Sequence, residues 1–143
     1  MADGAALLWT KTITTAIAAP GETQGVLTGL TNVDQVIVQG VFDYGSGGTT
    51  AKAWLQTSFD NGATWVDVVS LAFLLADATK ISVLSANVAP ASQAFAPADG
   101  ALTDDAVVNG AIGDRLRVKV ITTGTYAGST TLKVWVTGRR RDA

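Results

Sequence analysis

The chain has no cysteine and no histidine, a single methionine, three prolines and one glutamate, Glu22, beside eleven aspartates. Without thiols or imidazoles, the usual structural zinc ligands and the commonest general base at neutral pH are missing. Glutamate, lysine and arginine normally cover exposed helix faces. Here threonine, serine, glycine and aspartate stand in their place, and these are residues of strands and turns. The net charge of −2 is too small to draw the protein toward nucleic acid or an anionic membrane. Neither partner is expected. No apolar run approaches the roughly 20 residues that span a bilayer. The opening Met1–Gly4 has no basic stretch, and Lys11 interrupts the apolar residues after it, so a secretory signal is not expected either.

What the chain does have is a succession of short β patterns bounded by Gly, Asn, Asp and Pro. At 143 residues this predicts an all-β, single-domain β-sandwich or jelly roll of about seven to eight antiparallel strands. Strands are expected near Leu8–Ile17, Gly25–Leu30, Val33–Tyr44, Thr49–Ser58, Thr64–Phe73 and Lys80–Ser85. The two clearest come last. Leu116, Val118 and Val120 alternate with Arg115, Arg117 and Lys119, and Leu132, Val134 and Val136 alternate with Lys133, Trp135 and Thr137. Leu74–Ala78 reads equally as a helical turn or a bend. Residues 87–109 form a long loop rich in small residues, the segment expected to contact a partner, and 139–143 form a basic tail.

The sharpest motif is Ser58-Phe59-Asp60-Asn61-Gly62-Ala63-Thr64-Trp65, which carries every fixed position of the Asp-box pattern Ser-x-Asp-x-Gly-x-Thr-Trp. Asp60 can accept from amides of its own turn, Gly62 can adopt positive φ, Thr64 starts the return strand and Trp65 covers the turn. One copy predicts a structural hairpin; the propellers in which such boxes repeat need at least about four blades. Catalytic residues are not expected. The nominal carboxylate pairs, Asp60 with Asp67 and Asp104 with Asp105, read as strand and loop residues rather than a glycosidase pair. Asp99-Gly100 with Asp104-Asp105 offers oxygen ligands but meets no calcium-loop spacing, so neither metal nor cofactor is expected. Among Trp9, Trp54, Trp65 and Trp135, the last shares its face with Lys133 and Thr137 and is an interface candidate. Pro90, Phe95 and Pro97 in the long loop, and Arg139, Arg140 and Arg141 in the tail, complete the candidate interface.

Gly113-Asp114-Arg115-Leu116-Arg117-Val118-Lys119, followed by Thr123-Gly124-Thr125-Tyr126-Ala127-Gly128, resembles small structural proteins of tailed bacteriophages, and the Ser58–Val68 hairpin belongs to the same likeness, which spans roughly Lys52–Arg140. The resemblance implies a virion component made in the host cytoplasm, a capsid decoration or cement protein. Its expected partner is the major capsid protein or another virion protein, and it is expected to be a homo-oligomer. It assigns no binding residues. The competing expectations are a carbohydrate-binding module, which would present two or more coplanar exposed rings, and a tail, neck or baseplate component.

Overall fold

Alternating apolar residues and β-branched positions place nearly the whole chain in extended structure. The computed structural model describes residues 4–89, 94 and 96–140. The strands are β1 (Ala5–Thr12), β2 (Glu22–Leu27), β3 (Val33–Asp43), β4 (Ser46–Gly47), β5 (Thr50–Ser58), β6 (Val66–Phe73), β7 (Ala78–Ser85), β8 (Arg115–Thr123), β9 (Tyr126–Ala127) and β10 (Thr131–Arg140). Among the described residues there is no helix. Leu74–Asp77 is a bend, with the backbone amide of Tyr44 donating to the Asp77 carboxylate at 2.7 Å.

Eight long strands form two antiparallel four-stranded sheets, β1-β10-β3-β7 and β2-β8-β5-β6, while β4 and β9 pair as a small flap. The wiring is that of a hairpin rolled up. β5 pairs with β6, β3 with β7, β2 with β8 and β1 with β10, so each strand of the first half lies against its mirror in the second half. The roll then closes through β3–β10 and β5–β8. This is a double-sheet jelly roll, and the turn at 59–65 is the apex of the unrolled hairpin.

The core lies between the sheets. Val36, Val38 and Phe42 of β3, Leu132, Val134 and Val136 of β10, and Trp9 of β1 meet Leu55, Leu71, Phe73, Leu116, Val118 and Val120 from the other sheet. The sheets approach closely at Gly40, where a Cβ would stand 2.7 Å from the Phe73 ring. A bulge between Leu7 and Trp9 buries Leu8 and Trp9 in succession and turns Leu7 outward.

Candidate functional site

Two constructions draw the charged and aromatic residues together, one on the outer face of each sheet. On the β2-β8-β5-β6 sheet the first part is the apex hairpin. Asp60 accepts from the Thr64 amide at 2.7 Å and from the Ser58 hydroxyl at 2.9 Å, and Ser58 Oγ accepts from the Gly62 amide at 2.8 Å. Gly62 has φ of 90°, the left-handed region that glycine enters without strain. The Thr64 amide, then the Thr64 and Ser58 hydroxyls, hold the Asp60 carboxyl below its usual 3.8. Trp65 is half-buried with the Arg117 guanidinium 4.3 Å over its ring centroid, a cation–π contact.

The hairpin and the Gly113–Lys119 stretch, two separate signals in the sequence, are neighbours in space. Ser58 is in register with Arg115. The Gly113 amide donates to Thr57 Oγ1 at 2.8 Å, and that hydroxyl donates to the Arg115 carbonyl at 3.0 Å. A Cβ on Gly113 would fall 1.9 Å from the Ser58 carbonyl oxygen, so only glycine fits.

The second part is a strap made from the long loop. Asp67, 2% exposed, accepts from the amides of Gly100 (2.9 Å), Ala101 (2.8 Å) and Leu102 (3.0 Å), and from Gln56 Nε2 at 2.8 Å. Gln56 Nε2 also donates to Asp99, while its oxygen accepts from Arg117 Nε at 2.7 Å. Asp99 closes the network with Lys119. Burial works to raise the Asp99 carboxyl, but the hydrogen bonds from Lys119 and Gln56 outweigh it and hold it below 3.8. Burial also pulls the Arg117 guanidinium down, against the pull of Asp99 and Asp67. Further along, the Ser70 amide donates to the Ala106 carbonyl, the Val108 amide to the Val68 carbonyl, and Val69 bridges Val107. The strap therefore lines the free edge of β6, an edge that would otherwise invite strand addition.

The loop at 87–109, the segment expected to contact a partner, also serves its own fold. Its part from Ala98 to Val108 is bound to its own sheet, because a buried carboxylate and the edge of β6 need the loop amides and carbonyls as partners. Asp104 and Asp105 are not merely solvated: they pair with Lys52 (2.9 Å) and Lys80 (2.8 Å). Pro97 is exposed and lines a cleft of about 290 Å³ with Phe59, Asp60, Thr64 and Val66. Pro90, Phe95 and Arg141 lie outside the described residues. Among the described residues no group of three or more His, Cys, Asp or Glu is placed to hold a metal ion.

The tryptophans separate. Trp9 is core, and Trp54 lies beneath the strap, its Nε1 donating to the Leu102 carbonyl at 3.1 Å. Trp65, just before β6 and stacked on Arg117 of β8, and Trp135 of β10 lie at opposite sheets. On the outer face of β1-β10-β3-β7, cross-strand register sets Leu7, Trp135, Gln39 and Ile81 in one row and Ala5, Thr137, Ile37 and Val83 in the next. Leu7, Ile81 and Val83 are 40%, 63% and 46% exposed, and Trp135 is half-buried among them. Neither row contains a charge. Lys133 lies in the row on one side, between Thr10 and Val41, and Arg139 beside Gln35 on the other. The sequence reading reached Trp135 and Arg139 but missed Leu7, Ile81 and Val83; the outward alternation of Ile81 and Val83 in β7 was the available signal.

The chain matches no protein-family model, and a search of curated proteins finds no relative.

Proposed function

We propose that the chain is a virion structural protein that decorates and stabilises an assembled phage capsid through protein–protein contacts, working as an oligomer without catalysis. The carrying observation is the outer face of the β1-β10-β3-β7 sheet, where Leu7, Ile81 and Val83 stand exposed around Trp135. An uncharged, mostly apolar face on a sheet, interrupted only by Gln39 and Thr137 in these two rows, is a surface suited to being covered. The resemblance to phage structural proteins supplies the setting, and the major capsid protein is the proposed partner. Binding the assembled lattice in preference to free subunits would stabilise it by mass action, and an oligomer engaging several capsomers makes a modest contact sufficient.

The carbohydrate-binding reading has less support. Two of the four tryptophan rings are buried and the other two lie on opposite sheets, so no pair forms a stacking platform. Heads prepared without the chain provide the test. Added chain should co-sediment with them to saturation and raise their resistance to heat. Labelling of tails rather than heads would assign it to the tail, neck or baseplate, and Trp135-dependent retention on an oligosaccharide array would favour the sugar module.

A further inference from the structure

The cations of the fold divide into two sets. Lys11 is answered by Glu22, Lys52 by Asp104, Lys80 by Asp105, Arg115 by Asp114, and Arg117 and Lys119 by Asp99. Among the described residues three have no acid partner: Lys133, Arg139 and Arg140. All three belong to β10. Lys133 and Arg139 share the outward parity of Trp135, so they border the neutral rows on both sides. β3 carries two acids: Asp34, in the bulge opposite Arg139 and Arg140, accepts from Asn87 at 3.1 Å, and Asp43, at the far end, accepts from Thr131.

We infer that this face docks onto a protein surface whose apolar centre is bordered by carboxylates. The inference rests on the docking reading above and specifies the partner's chemistry. Elsewhere the fold neutralises its cations internally; along β10 it leaves them for a partner, and complementary charge of that kind sets specificity and association rate. A second copy of the chain does not fit. β10 is one of the two central strands, so a two-fold copy stacked about 10 Å away would bring two rows of unanswered cations into one seam. Size points the same way. Four strands spaced about 4.8 Å, each presenting roughly eight residues at about 3.3 Å, cover about 500 Å² per side, the lower end of specific interfaces. Such a contact suits a repeated, multivalent lattice.

The test uses the full chain and heads prepared without it, in co-sedimentation across roughly 0.05 to 0.5 M salt. The wild type should bind, with affinity falling as salt rises. The variant Lys133→Glu/Arg139→Glu should bind at least about tenfold more weakly, and Ile81→Ser/Val83→Ser should also lose binding. Thr23→Glu, on the other sheet, should bind as wild type, and circular dichroism should show all variants folded. If the wild type binds but the charge-reversed variant binds equally well and salt has no effect, the acidic-partner inference fails while docking stands. Failure of the wild type to bind overturns the docking reading and the inference with it. Sedimentation equilibrium covers the remaining occupant: self-association abolished by Ile81→Ser/Val83→Ser would put a second copy on this face and overturn the inference.

Discussion

At the scale of single residues, Asp67 and Asp60 are both turn-and-loop acceptors but differ in what surrounds them. Asp67 is buried and holds three loop amides and Gln56, so Asp67→Ala should cost about 2–4 kcal/mol in urea unfolding and expose Trp54, seen as red-shifted fluorescence. Asp60 is exposed, and Asp60→Ala should lower the melting temperature by less while leaving any partner affinity of the folded protein unchanged. Loss of binding at an unchanged melting temperature would show that the hairpin is a contact site. Acid dependence comes from the same kind of group. Hydrogen bonds hold Asp60, Asp99 and Asp105 below 3.8 in the folded state, with Lys80 and the Ala72 amide acting on Asp105. A carboxyl depressed on folding contributes stability that is complete above its unfolded value and lost as pH falls through the folded one. The melting temperature should therefore be flat with respect to these groups near neutrality and drop below about pH 4, and Asp99→Asn should shrink the drop.

At the scale of elements, the strap is where sequence and structure diverge most. Alternation in β8 and β10 could be read directly, because the period of two is unbroken from Arg115 to Lys119 and from Leu132 to Thr137, although Lys119, on the outer face of β8, is itself buried with Asp99 as its partner. The start of β1 could not: its bulge breaks the period, burying Leu8 and Trp9 together. The β4–β9 flap, two residues on each side, is too short for any periodic signal. Ala98–Val108 gave no hint of its attachment, since its backbone amides and its Asp99, Asp104 and Asp105 side chains meet partners, Asp67, Lys119, Lys52 and Lys80, that are remote in sequence. Likewise the candidate face depends on register, which alone brings Leu7 beside Trp135. The element carries its own prediction. Replacing Ala98–Leu102 by a Gly/Ser linker should destabilise the fold rather than spare it, and should raise the aggregation tendency by baring the edge of β6; an unchanged urea midpoint and a monodisperse sample would contradict this.

At the scale of the whole molecule, the carboxylates are largely taken up by ion pairs and amide cradles, so a broad glycoside and ester panel should give no turnover; reproducible activity abolished by replacing one aspartate would overturn the non-catalytic reading. The rolled hairpin has a further consequence, for the order in which the chain can be made. β1 is hydrogen-bonded within its sheet to β10 alone, and β3 stands between β10 and β7. During synthesis β1 leaves the ribosome before the other described strands, whereas its partner β10 follows all of them, so this sheet cannot close in the order in which its strands emerge. What can form early is the β5–β6 pair and its apex turn, whose contacts are local. Pairing so distant in sequence places refolding in the slow range of roughly milliseconds to seconds. A nascent chain arrested before Thr131 should accordingly leave β1 open to protease, while the same strand in the released protein is protected.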